Sequence, residues 1–245
     1  MADLEIGYNV GKAKDLMESV KTQFESLKST ISDGWTDVQS TLHTEWIGQD
    51  EISFEAKFAE RVNDLYKDAA TLATNCCGVV ADLVNGWSNF QANNILNDAQ
   101  AGTATTIEAL TFSADEVISA QAEDIDESTD LGLKSSGSAE TIQTSVSEYV
   151  SSIQTQAQNL FEEIKSNEAF FGDQTTTIDS YISSCGVAIG EVVTAVQDLH
   201  TALTELANSQ YNKNVENITE AVTNEESNVN KIGDELGAAK WNGGA

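Results

Sequence analysis

Few residues in this chain have the types and spacing that catalysis or metal binding requires. The histidines are the first example. His43 and His200 are the two histidines in 245 residues. Zinc motifs place histidines and cysteines at short fixed spacings, and neither histidine has such a neighbour. The sequence also lacks a phosphate-binding glycine loop and a G-x-S-x-G nucleophile turn. We therefore predict no catalytic residue, no metal site, no cofactor and no enzymatic activity, with both histidines at the surface or its boundary.

The cysteines and one acidic run are the other candidates for a chemical site. Cys76, Cys77 and Cys185 are odd in number and form no CxxC pair, which argues against a disulfide framework. Cys76 and Cys185 fall on apolar stripes, so we expect buried side chains rather than a redox or metal site. The acidic run, residues 123–130, lacks the glycine and the glutamate that a calcium-binding EF-hand loop requires. A solvated charged segment is the better interpretation.

Composition favours helices and limits the partners. The chain contains no proline, the strongest helix breaker. Its 40 acidic and 12 basic side chains give a formal net charge of -28, which repels a nucleic-acid backbone or an anionic lipid surface. The acid excess favours solubility, and a halophilic source would produce it equally well. The N-terminus has no basic start or long apolar core, so we expect no cleavable signal peptide. The longest apolar stretch, residues 76–84, is too short to span a bilayer.

Two apolar stripes predict a helical hairpin in the first part of the chain. The first stripe repeats every eleven residues, which is close to the period of a straight helix, and the second repeats every seven. Their central members are Leu16, Leu27 and Val38, then Phe58, Leu65 and Leu72. Trp46-Ile47-Gly48 lies between them. Gly48 permits a tight chain reversal, and Trp46 would cover the ends of both helices.

The second half repeats this plan. Its return helix carries a regular seam that includes Ile182, Ile189, Val196 and Leu203. Phe171 and Gly172 stand at the corresponding turn. A polar break near residues 212–214 separates the return helix from a further helical pattern.

The middle of the chain separates the two hairpins. Ile107, Leu110, Ala114 and Ile118 predict a short amphipathic helix, and the following Gly/Ser run predicts a linker. The predicted organisation is a first hairpin in residues 1–97, a short helix with an acidic and Gly/Ser linker in residues 98–137, and a second, diverged hairpin with a long C-terminal helix in residues 138–245. The predicted fold class is all-α, with long antiparallel helical hairpins in tandem. An elongated four-helix bundle would bury their seams, and a partner chain would do so equally well.

Residues 1–97 resemble the WXG superfamily, the small helical-hairpin proteins exported by type VII secretion systems. Trp46-Ile47-Gly48 matches the signature turn of that family, and residues 58–70 resemble its return helix. The resemblance implies a groove for partners near Trp46 and Gly48, and near Phe171 and Gly172 in the second copy. The export signal Tyr-x-x-x-Asp/Glu is absent after the return helix, so either the chain carries no such signal or a partner chain supplies it.

These observations predict a non-enzymatic protein that is secreted or displayed at the cell surface and cytoplasmic before export. It would act by helix-face docking to itself or to a protein partner, with a homo-oligomer as the expected state. A structural subunit of a virion or filament is the first alternative. A helical pore-forming toxin is the second, with an apolar patch as its insertion element, although Asp82 and Glu191 would be costly inside a bilayer.

Overall fold

The computed structural model describes residues 9–94, 106–121 and 132–238, and it confirms an all-α fold. The helices are α1 (Val10–Glu45), α2 (Gln49–Asn94), α3 (Ser138–Ser166) and α4 (Thr175–Ala238). Two short 3-10 turns, Glu168–Phe170 and Gly172–Gln174, join α3 to α4. Two-residue strands, β1 (Trp46–Ile47) and β2 (Gly132–Leu133), pair antiparallel at one end of the molecule.

The two hairpins pack on each other as one four-helix bundle. Helix α1 lies against α2 and α3, and α4 lies against α2 and α3. Every neighbouring pair is antiparallel, because α3 starts beside the end of α1 and α4 returns towards the same end. One continuous apolar core runs through all four helices. The apolar seams of the two hairpins, as far as Leu203 on α4, are therefore covered within the chain, which answers a question that the sequence left open.

Helix α1 shows how the sequence specifies these elements. Asn9 caps its first turn, where the side-chain oxygen accepts a hydrogen bond from the Lys12 amide at 3.0 Å. The helix ends where Trp46 turns to an extended conformation. Its eleven-residue stripe is the buried face, as predicted, with Leu16, Leu27 and Val38 each at most 3% exposed.

Residues 106–121, which we call the strap, contain no helix, so the short helix predicted over this stretch is wrong. The strap is an irregular, extended segment that runs antiparallel to α2, along the surface of that helix. About 14 residues of strap run beside about 30 residues of helix, because an extended chain advances about 3.3 Å per residue and a helix about 1.5 Å. The predicted apolar residues Ile107 and Ile118 are buried, but they enter the core from an extended chain.

Polar side chains of the helices hold the strap backbone in place. Asn85 and Asn63 of α2 each both donate to and accept from it, at 2.8–3.3 Å. Further bonds join the Thr74 hydroxyl to the Phe112 amide at 3.0 Å and the Trp35 indole to the Ser119 carbonyl at 2.9 Å. These bonds replace the partners that a helix or a sheet would give the strap, since buried backbone groups must be paired.

The predicted Gly/Ser linker is partly a docked element. Gly132 and Leu133 pair with the Trp46–Ile47 strand, and the Lys134 amide donates to the Glu45 carbonyl at 3.0 Å. Gly132 has a φ of 141°, and a Cβ there would lie 2.1 Å from the Gln210 side chain. The start of α3 is thus attached to the first turn. The predicted acidic run at 123–130 lies outside the described residues.

Helix α4 is a single helix of 64 residues. The polar break predicted near residues 212–214 does not interrupt it, because asparagine and lysine side chains point into solvent there without disturbing the backbone. The last fully buried side chain of α4 is Leu203, so the C-terminal part of this helix extends beyond the bundle core.

Candidate functional site

The first hairpin turn lies where the sequence placed it. Gly48 has a φ of 151°, a conformation that side chains with a Cβ rarely adopt. Trp46 is 5% exposed, and its ring lies 6.3 Å from that of Phe54. The tryptophan therefore covers the core at this end of the bundle, in agreement with its predicted structural role. Its predicted role in partner binding stays a prediction.

A groove of 440 Å³ opens beside this turn, between α2 and α4. Trp46, Phe54 and Leu206 supply apolar surface, and Lys57 and Asp198 supply charge of both signs. The lining can accept an apolar side chain with a polar flank, which is the composition that protein-binding grooves have in general.

The second hairpin turn contains Phe171 and Gly172, as predicted. Phe171 is 1% exposed, and Gly172 has a φ of 55°. The aromatic ring plugs the opposite end of the core, while the glycine permits the change of direction into α4. The two turns thus have a common feature: each contains a buried aromatic residue that is followed by a glycine of positive φ. Phe171 presents little surface to a partner, whereas Gly172 is exposed, and the predicted role of both in partner binding stays a prediction.

The predicted seam residues form the core between these turns. All are buried except Ile189, which is partly buried and packs against the core cluster. The buried set comprises Leu16, Leu27, Val38, Phe58, Leu65, Leu72, Ile182, Val196 and Leu203. These residues hold the helices together and are not available to a partner.

The outer part of α4 presents the most exposed apolar surface among the described residues. Every residue from 211 to 235, here called the α4 extension, is exposed. Its apolar members are 43–68% exposed: Tyr211, Val215, Ile218, Val222, Val229 and Ile232. Their spacing alternates between four and three residues, with Glu225 at the one skipped position. This heptad pattern is typical of a helix that packs against another helix.

A polar cluster lies beside the first turn, and the sequence search missed it. His43 at the end of α1 meets Glu51 and Glu55 at the start of α2, and the ligand atoms of all three side chains lie within 4.8 Å of one another. No zinc motif marks these residues along the chain. The spacing from the turn could have revealed the cluster. His43 stands three residues before Trp46, and Glu51 stands three residues after Gly48. Residues at such matched distances from a hairpin turn lie opposite each other on the two helices.

The three cysteines are buried thiols, as predicted. Burial raises the pKa of Cys77 and of Cys185 to about 12, with smaller contributions from Glu18 and Asp68 respectively. Burial also raises the pKa of Cys76. Because the thiolate is the reactive form, none of the three is poised for redox or nucleophilic chemistry at neutral pH.

Among the residues that the structure describes, one helical span, Gly172–Glu235, is long and apolar enough to cross a membrane. Its most apolar 18-residue window has a mean hydropathy of 1.2, and 39% of that window is buried inside the protein. The core helix of a soluble protein gives the same result, so this is weak evidence for membrane insertion.

The chain forms a helical hairpin with a tight turn at Trp46 and Gly48, and its membership of the WXG superfamily stays a prediction. A second hairpin, the strap along α2 and the α4 extension are additions to this first hairpin. Comparison of the chain with protein-family models, curated proteins and solved structures gave no significant match.

Proposed function

We propose that this chain is a non-enzymatic helical docking protein whose α4 extension forms a coiled coil with a partner helix. The observation that carries the proposal is the length and pattern of the exposed stripe. The extension is about 38 Å long at about 1.5 Å per residue. Isolated helices in water are marginal, and most helical stability comes from packing of an apolar face. A partner helix would supply that packing.

The charge of the molecule indicates which partner would fit. Glu225 occupies a seam position between Val222 and Val229. A parallel second copy would set Glu225 against Glu225 and bring together two chains of formal charge -28. Like charges at such a position oppose pairing. We therefore commit to a different chain, a heptad-repeat helix with an apolar seam and a lysine or arginine opposite Glu225. Self-association becomes an outcome to be tested.

The place of action follows from the family resemblance. The chain resembles a superfamily of exported helical hairpins with a Trp-x-Gly turn, so we propose that docking occurs outside the cell or at its surface. A subunit of a larger assembly could use the same stripe. Pore formation has less support, since Cys76, Val80 and Val84 would have to leave the core to enter a membrane.

Synthetic peptides test the docking proposal directly. The probe is a four-heptad peptide with a valine and isoleucine seam and a lysine opposite Glu225. We expect the full chain to bind this peptide, and Ile218→Ser with Val222→Ser to weaken binding at least tenfold, since each loses about 1.5–3 kcal/mol of apolar burial. The matched control, Asn217→Ser with Asn224→Ser, changes exposed polar positions off the seam and should bind as wild type does.

Charge reversal and mass measurement complete the test. Glu225→Lys should bind the lysine peptide more weakly and a glutamate peptide more tightly. Light scattering of the chain alone should give a monomer of 26.3 kDa. A dimer that is lost with the seam variant and kept with the control would assign the stripe to self-association. A monomer that binds neither peptide would contradict the docking proposal.

A further inference from the structure

We propose that His43, Glu51 and Glu55 form a binding site for one divalent transition-metal ion of the zinc class. His43 lies in the last turn of α1, while Glu51 and Glu55 lie in the first two turns of α2. Glu51 is 1% exposed and Glu55 is fully buried. The histidine side chain is 17% exposed, which leaves a path from solvent to the cluster.

The distances between the donor atoms suit a shared ion. His43 Nε2 lies 2.8 Å from Glu55 Oε2 and 3.6 Å from Glu51 Oε1. Zinc binds imidazole nitrogen and carboxylate oxygen at about 2.0–2.2 Å, so two ligands of a tetrahedral ion lie about 3.3–3.6 Å apart. The distance from His43 to Glu51 already lies in this range, and a small adjustment of the His43 side chain would bring its distance to Glu55 into it. Three protein ligands leave the fourth tetrahedral position to water.

Glu55 is held in the orientation that a ligand needs. Its Oε1 accepts hydrogen bonds from Gln39 Nε2 at 2.6 Å and from the Gln121 amide at 2.7 Å. These two donors fix the carboxylate and turn Oε2 towards His43. Hydrogen bonds to the second oxygen of a ligating carboxylate are a regular feature of metal sites, because they set the direction of the first.

The net negative charge of the cluster favours the binding of a dication. The two carboxylates and the imidazole sum to -2 when the imidazole is neutral and to -1 when it is protonated. The N-terminus of α2 offsets only about half a charge. Buried charge is costly, and a divalent ion would neutralise both carboxylates at once. Imidazole together with carboxylate selects a metal of the zinc, iron or manganese type over calcium, which takes oxygen ligands alone.

The bound ion would clamp the hairpin at its turn. His43 and the two glutamates flank Trp46 and Gly48 on opposite helices, and Glu55 also holds the strap through Gln121. A metal at this point would therefore join α1, α2 and the strap. Ligand binding to the folded state alone stabilises it by mass action.

Calorimetry with Zn²⁺ on the full chain, freed of metal by a chelator, tests the site. High NaCl and excess Mg²⁺ in the buffer screen and occupy the exposed carboxylates of this acidic chain. We expect one Zn²⁺ per chain. His43→Gln and Glu51→Gln should each weaken binding at least tenfold, since even outer-shell changes at metal sites cost 10–100-fold in affinity. His200→Gln is the matched control and should leave affinity unchanged.

A second measurement needs no variant. The chain has two histidines, so its NMR spectrum holds two sets of imidazole signals. Zinc should shift the His43 signals and leave those of His200 in place. No saturable zinc binding would overturn the proposal and leave a proton-bridged cluster. Binding that survives His43→Gln, or a thiolate-to-metal absorption band with Co²⁺, would also overturn it, since the ion would then sit on the surface or at cysteine.

Discussion

Asn63 is one of four polar residues buried within the described part of the bundle, and it holds the strap. It is 4% exposed, donates to the Ile118 carbonyl at 2.8 Å and accepts from the amides of Val117 and Ile118 at 3.0 and 3.3 Å. One amide side chain thus satisfies three backbone groups. This use is invisible in the sequence, where Asn63 is one polar residue in a helical pattern.

We expect Asn63→Ala to lower the free energy of unfolding by about 2–3 kcal/mol, because the backbone groups of the strap lose their partner while they remain buried. Urea denaturation followed by circular dichroism measures the change. Asn75→Ala is the control, since the Asn75 side chain donates to the Thr71 carbonyl of its own helix. Alanine favours a helix, so this variant should match or slightly exceed wild type. Equal losses in both variants would contradict the role of Asn63.

At the scale of elements, the helices follow from the sequence and the strap does not. Apolar residues at helical spacing predicted all four helices, because a stripe that must be buried fixes both period and face. The same spacing in residues 107–118 predicted a helix where an extended chain lies. The apolar residues of this stretch are few. Asparagine and threonine side chains on α2 form hydrogen bonds with the backbone of the strap and so stabilise its extended conformation. Tertiary contacts therefore overrode the local pattern.

The candidate sites divide in the same way. The Trp46 and Phe171 turns were readable, since each has an aromatic residue and a glycine between two stripes. The His43 cluster was not, because its members come from two helices and meet only once the hairpin closes. The heptad of the α4 extension was visible, but whether the bundle would bury it or leave it in solvent depended on where α3 begins, because α4 runs past that point.

The contact between α1 and α3 depends on a glycine. A Cβ on Gly34 would lie 2.7 Å from Tyr149 Cδ2, and the Tyr149 hydroxyl donates to the Ile31 carbonyl at 2.9 Å, which fixes the ring. Gly34→Ala should therefore destabilise the protein by about 1 kcal/mol, since overpacking outweighs the gain in helix propensity.

Gly186→Ala on α4 is the matched control for this effect. A Cβ at Gly186 meets nothing within 4 Å, so the same substitution should stabilise the protein by roughly 0.5–1 kcal/mol. Thermal melts of the two variants compare them directly. Stabilisation of similar size in both variants would contradict the prediction, since it would mean that α3 can move away from α1 without loss of stability.

At the scale of the whole molecule, charge opposes compactness. A formal charge of -28 is carried by a bundle whose described lysines take part in few ion pairs, at exposed positions such as Lys21–Glu18 and Lys67–Asp64. Such surface pairs contribute little. Self-repulsion is therefore a general term that lowers the stability of the folded state, and it is distributed over the surface rather than located at one residue.

Salt should consequently stabilise this protein. The screening length falls from about 30 Å at 0.01 M to about 3 Å at 1 M, which removes repulsion between charges on different helices. We expect the melting temperature at neutral pH to rise by roughly 5 °C over this range of NaCl, since about 1 kcal/mol corresponds to about 2–4 °C for a chain of this size. The control is the same titration near pH 4.1, the isoelectric point, where the net charge vanishes. The salt dependence should nearly disappear there. An equal rise at both pH values would mean that salt acts through apolar burial and not through the acid excess.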